Sequence, residues 1–160
     1  MDITYYNTDG KFNYRVCGIM IKDGRVLAMQ DSRSDYFYFP GGRVHLHERA
    51  EDALVREFSE EMGFFPEIIR PLWVCQNYFH DPLRGTPTHE IGIYFLVSAD
   101  SPALVSRGDS FTRKDEVGDE LTFSWLPVAE LGKYKIFPHF LSEQLQSLPS
   151  SLELITEKQI

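Results

Sequence analysis

Three glutamates, Glu57, Glu60 and Glu61, are spaced so that one helix would hold them together. Positions i, i+3 and i+4 are surface neighbours on an α-helix. From Arg49 to Met62 there is no proline or glycine, and Gly63 follows, so the stretch predicts a helix closed by a residue that takes positive φ without steric cost. Projected at roughly 100° per residue, Leu54, Val55, Phe58 and Met62 form an apolar stripe. The glutamates share a neighbouring arc with Ala50 and Ala53, whose small side chains leave space against the acids. Like charges so placed repel by roughly 0.2–0.5 kcal/mol per pair, and no lysine lies on the arc to relieve them. A hard cation would relieve them, because Mg²⁺ and Mn²⁺ favour carboxylate and water oxygens.

The acids belong to a longer pattern. Gly42, Glu48, Arg56, Glu57, Glu60, Glu61 and Gly63 stand at the fixed positions of G-x5-E-x7-R-E-U-x-E-E-x-G-U, with Phe58 and Phe64 in the two apolar places. This 23-residue stretch resembles the signature of the Nudix hydrolases. The two phenylalanines depart mildly from it, since the family more often has an aliphatic residue there.

The resemblance implies a site. Nudix enzymes mostly hydrolyse a nucleoside diphosphate linked to another moiety, with water attacking phosphorus. Glu57 and Glu61 are then the first choices as direct metal ligands, and Glu60 binds metal or holds the proton of the attacking water. The general base stays unassigned among them. A carbonyl of the Pro40-Gly41-Gly42 turn, assigned to Gly42, joins the metal shell. Arg56 orients a glutamate by salt bridge, and Glu48 serves a second metal or supports the first. Family members often recruit a further acid from a loop before a later strand. Asp115, Glu116, Asp119 and Glu120 all precede Trp125, and Glu120, nearest the strand, is favoured.

The rest of the composition bounds these expectations. At 160 residues with 42% hydrophobic content, one domain over 1–160 with a real core is expected. A net charge of -8 argues against a general DNA or RNA binder but not against nucleotides, since bound metal inverts the field of an acidic site. Cys17 and Cys75 lie in apolar runs and read as buried thiols, which suits a reducing, cytoplasmic setting. No apolar stretch approaches membrane-spanning length, and the N-terminus does not read as a signal peptide. The expected partner is a small-molecule diphosphate, with no DNA and no membrane; a homodimer is compatible with the sequence.

The elements around the motif follow in order. Residues 1–12 hold at most an edge strand. The apolar runs 14–21 and 26–29 flank Asp23-Gly24, a hairpin signal. Tyr36 to Phe39 is a short aromatic strand stopped by Pro40, and two of its rings are core. Runs 68–79 and 89–97 are strands joined by a turn-rich segment. Residues 99–117 read as a surface loop, 121–126 as a strand, 140–148 as a closing helix and 150–160 as a fraying tail. Strands around a central helix give a mixed sheet covered by helices, and the resemblance narrows this to the α/β/α sandwich of the Nudix fold.

Three functions compete. The first is the metal-dependent diphosphate hydrolase. The second is a non-catalytic binding or regulatory module, disfavoured because the motif is intact. The third is an isoprenoid diphosphate isomerase of the same fold, which would need a catalytic cysteine; Cys75 is too deep in an apolar run to supply it. His45 and His47 read as solvated loop residues, and His80, His89 and Glu90, which flank the second apolar hairpin, are candidates to line a pocket although the incidental reading is preferred.

Overall fold

The computed structural model of the protein describes residues 1–115 and 117–159. Among these residues, ten strands form two sheets. They are β1 (Thr4–Asn7), β2 (Gly10–Ile19), β3 (Ile21–Lys22), β4 (Arg25–Asp31), β5 (Gly41–Arg43), β6 (Ile68–His80), β7 (Pro87–Val97), β8 (Ser110–Lys114), β9 (Glu120–Pro127) and β10 (Glu153–Lys158). The helices are α1 (Ala50–Met62), α2 (Pro102–Val105) and α3 (Phe140–Gln144), with a 3₁₀ turn over Val128–Lys133. The larger sheet runs β1-β2-β7-β6-β10, with β5 also paired to β2. It is mixed: β2 and β7 are parallel, as are β6 and β10, while β6 and β7 form an antiparallel hairpin. The smaller sheet, β3-β4-β9-β8, is antiparallel.

Alternation along β2 sends Val16 and Cys17 to opposite faces of the large sheet, and each face has its own core. Val16, Phe95 and Val97 pack with Leu54, Phe58 and Met62 of α1 and with Leu27, Met29 and Phe123 of the smaller sheet. Cys17, Trp73, Cys75 and Tyr94 pack with Leu131, Ile136, Leu141 and Leu145. The result is the expected α/β/α layering.

Helix α1 lies close on β2 because Gly18 has no side chain: a Cβ there would stand 2.4 Å from the Phe58 ring. Phe58 is fully buried, and truncating such a side chain to alanine costs about 3–5 kcal/mol. Gly63 ends α1 in the left-handed conformation, φ 74°, and its N–H donates to the Phe58 and Ser59 carbonyls.

Several local expectations change. Ala53 is fully buried in the core under α1, while Val55 is only half-buried. The 14–21 run divides at Met20 between the two sheets, so the Asp23-Gly24 turn joins only the two-residue β3 to β4. Residues 36–39 form isolated bridges, Met29 with Tyr38 and Phe37 with Ile136, and no strand of their own. The 99–117 segment contains α2 and β8. Strand β8 is an edge with exposed Ser110, Thr112 and Lys114, the composition that keeps edges from pairing further. The 150–160 tail contains β10, which pairs with β6 because Ile155 packs against the second core.

Candidate active site

Arg56 is the hub of the acidic face. Its Nε donates to Glu48 Oε1 at 2.9 Å, and its Nη2 reaches Glu48 Oε2 at 3.0 Å and the Arg43 carbonyl at 2.9 Å. Its Nη1 meets Glu57 Oε1 at 2.7 Å and Glu60 Oε2 at 3.3 Å. One rigid guanidinium thus fixes three acids and ties α1 to β5, which a point-charge ammonium could not do. Glu48 also accepts the His45 N–H at 2.8 Å, and the Arg56 bonds, with that one, hold its carboxyl down at about 2.

Glu57 and Glu61 lie on the Pro-Gly-Gly turn. A Cβ at Gly42 would stand 2.2 Å from the Glu57 carboxyl carbon, so the acid occupies space that only glycine leaves. Glu61 Oε2 accepts the Gly41 N–H at 3.2 Å. Burial, and then the charge of Glu57, push the Glu61 carboxyl up to about 8. Burial raises Glu57 as well, against the opposing pull of Arg56. Glu60 is the exposed member. Among the described residues, no three acid, histidine or cysteine side chains stand together as a ready-made cation cage, consistent with Arg56 binding oxygens of Glu48, Glu57 and Glu60. The chemistry of the donor set nonetheless fits a hard cation: every candidate side chain is a carboxylate, the Gly42 carbonyl is a further oxygen, and the acids raise one another's proton affinity.

A cleft of about 460 Å³ opens on Glu57, Glu60, Glu61 and Arg56. Asp115 and Val117 also line it. Asp115 Oδ1 accepts the N–H groups of Val117 and Asp119 at 3.0 and 2.8 Å, which shapes the loop. Glu120 is exposed opposite Lys114 and does not line the cleft, and Asp119 pairs with Arg33 at 3.2 Å. Glu116 lies outside the described residues.

On the other face of the large sheet is a cavity of about 340 Å³. Its lining includes Lys11, Arg15, Arg33 and Arg43, aromatic Tyr36 and Phe137, and the buried pair Asn13 and Glu90. Arg15 Nη2 donates to the Gly41 carbonyl at 3.4 Å, so Gly41 touches Arg15 on one side and Glu61 on the other. Burial works against the Arg15 charge, but Cys17, Glu90, Tyr94 and Glu61 around it raise its pKa above the ordinary value. Sequence reasoning passed over Asn13, Arg15 and Arg43 and set Glu90 aside. The available signal was parity: Asn13, Arg15 and Cys17 alternate onto one face of β2, and a charge there is buried.

Of the remaining histidines and cysteines, His45 lines the acid cleft beside Asp2, and Cys17 lines the second cavity. His45 Nε2 stands 3.2 Å from Asp2, and His47 and His80 are exposed. His89 stacks on Tyr78. Cys75 is buried in the second core, with its thiol pushed up to about 12 by burial, and so is not on the face that carries α1.

The NUDIX domain matches residues 11–147. An ADP-ribose pyrophosphatase of Methanocaldococcus jannaschii is 34% identical over 98 residues, 59% of this chain and 56% of that protein. An RNA pyrophosphohydrolase of Sphingopyxis alaskensis is 35% identical over 88 residues, 51% of this chain and 53% of that protein. The matched region thus spans about half the length of these relatives. Among solved structures, the mutator MutT protein of Bacillus halodurans superposes with a TM-score of 0.63 over 92% of this chain and 91% of its own, at 14% identity. The MutT protein of Methanosarcina mazei gives 0.56 over 84% and 91%, at 17% identity. These two likenesses are of fold. With the domain matched over most of its length and the signature helix in place, the chain belongs to the Nudix family.

Proposed function

We propose that the protein is a pyrophosphohydrolase that cleaves the diphosphate bond of a nucleoside diphosphate derivative by water attack on phosphorus. Nudix hydrolases generally use divalent metal ions, and Glu57, Glu60 and Glu61 beside Gly42 would hold Mg²⁺ or Mn²⁺ here, with Glu48 in support. Such an ion supplies Lewis-acid polarisation of phosphoryl oxygen and a more acidic bound water. The carrying observation is the placement of Glu57 against Gly42 and of Glu61 on the Gly41 N–H.

The chain's own residues have separable parts. Arg56 holds Glu57 and Glu48 in one geometry. Glu60, the exposed acid, would pass a proton to solvent. Arg15 and Arg43, beside the turn, supply positive charge for phosphate oxygens. The named activities of the archaeal and bacterial relatives, both pyrophosphatases, support the bond type. Cys75, remote from the acids, favours hydrolysis over an isomerase reading. We assign the activity to the cytoplasm, where buried free thiols such as Cys17 and Cys75 stay reduced; separately, among the described residues no helix is long and apolar enough to cross a membrane.

The test is a substrate panel with Mg²⁺, covering ADP-ribose, nucleotide sugars, dinucleoside polyphosphates, nucleoside triphosphates and triphosphorylated RNA. Phosphate is read with and without added phosphatase. Turnover of at least one substrate that Glu57→Gln abolishes is expected; turnover unchanged by that substitution would overturn the reading.

A further inference from the structure

The loop that enters α1 is held from outside by the first residues of the chain. Ile3 N–H donates to the Val44 carbonyl at 2.8 Å and Leu46 N–H to the Met1 carbonyl at 2.9 Å, with Asp2 bridged to His45 between them. These residues precede the matched domain, 11–147. Asp2 nonetheless lines the acid cleft with Arg56, Glu57, Glu60 and Glu61.

Both oxygens of the Asp2 carboxylate are engaged. Oδ2 accepts from Arg43 Nη1 at 3.0 Å, and Oδ1 stands 3.2 Å from His45 Nε2. Arg43 lines the second cavity beside Arg15, its partner in register between β5 and β2. The two cavities have no lining residue in common, so the Asp2–Arg43 contact is a side-chain link from one to the other. The main chain of Arg43 is fixed separately, because its carbonyl accepts from Arg56 Nη2 at 2.9 Å. What Asp2 adds is the direction of the Arg43 side chain. An isolated surface pair would be worth little. This one ends on a backbone that the hub arginine already holds.

We propose that Asp2 is a positioning residue, which aims the Arg43 guanidinium at the diphosphate of the substrate. This rests on the pyrophosphohydrolase reading and adds to it a residue from outside the matched domain. Asp2 accepts one N–H of Arg43, and the other donors of the planar fork suit phosphate oxygens. A long side chain that is ordered before the substrate arrives loses less freedom on binding. Asp2 therefore strengthens ground-state binding of the diphosphate, and it does so through Arg43.

Calorimetric titration with α,β-methylene-ADP and Mg²⁺ separates binding from turnover, because the carbon bridge of that diphosphate is not hydrolysed. Asp2→Asn should weaken binding by about five- to tenfold, the effect of leaving one long side chain unordered. Tm should hold, since the bonds from Ile3 and Leu46 are made by the backbone. Arg43→Gln should weaken binding at least as much, and the double variant no further than Arg43→Gln alone. On a substrate from the panel, Asp2→Asn should raise KM and leave kcat within about twofold, the pattern of lost uniform binding. If Asp2→Asn does not fold, Asp2→Glu carries the same cycle, because it keeps the charge and shifts it by one methylene. Affinity and KM unchanged in a folded Asp2 variant, or losses that multiply in the double variant, overturn the proposal and leave the pyrophosphohydrolase reading standing. A wild type that neither binds the analogue nor turns over any panel substrate removes that reading, and this proposal with it.

Discussion

The carboxylate of Glu57 fills the place that a side chain at residue 42 would take, with both its oxygens 2.3 Å from where that Cβ would sit. Gly42 carries no positive φ, so backbone freedom is not the reason for glycine there. The constraint is steric and local. Gly42→Ala should therefore keep the fold and displace the acid. Displacements on this scale cost roughly 10²-fold in rate. The check is kcat alongside a thermal melt; a rate near wild type would show that Glu57 has another productive position.

Arg56 makes a second constraint of the same kind. Arg56→Lys keeps the charge and loses the fork that reaches Glu48, Glu57 and Glu60 at once. Replacing a residue that orients metal ligands typically costs about 10–100-fold in metal affinity or activity, and that loss is expected here in both. Titration of Mn²⁺ followed by electron paramagnetic resonance reads the affinity directly. Full retention would reduce Arg56 to an ordinary surface pair.

Glu61 carries a pH dependence whose sign is fixed. Its carboxyl is raised from 4.5 to about 8 by burial and by Glu57. A raised acid contributes stability that is fully present below its unfolded pKa and lost as pH rises through the folded one. Without divalent cation, Tm should fall between about pH 4.5 and about pH 8. Glu61→Gln should flatten that fall and melt higher at the alkaline end, by roughly 2–4 °C for each kcal/mol. Added Mg²⁺ should restore the wild type alone, since a cation binds the ionised acid. A variant that melts below wild type throughout would mean that the Gly41 bond outweighs the buried charge.

The signature helix was legible because its evidence is periodic and local: acids at helical spacing, a continuous apolar stripe and Gly63 at the end. The layered fold followed once strands and helices were counted. What the sequence hid depends on tertiary partners. Ala53 looked like room beside the acids and is buried with the apolar stripe in the core. Strand β10 has no alternation of its own strong enough to mark it and exists through β6. The buried polar residues Asn13, Glu90 and Asn77 are distant in sequence, and only strand register unites them.

The loop acid shows the same limit. Distance to the next strand favoured Glu120, whereas Asp115 lines the cleft. Asp115→Asn should lower kcat and kcat/KM together, as expected for a group that acts in the transition state. Glu120→Gln should leave both unchanged. Steady-state kinetics on a substrate from the panel decides between them, and damage confined to Glu120→Gln would return the role to that residue.

Hydrolysis in water carrying a heavy oxygen isotope tests most directly whether the acids of α1 direct water onto phosphorus. With Mg²⁺ and a substrate from the panel, mass spectrometry should find one heavy oxygen in a phosphate product for each bond cleaved. Glu57→Gln should lose that incorporation while remaining folded. Heavy oxygen on carbon instead, or incorporation by Glu57→Gln at the wild-type rate, would contradict it.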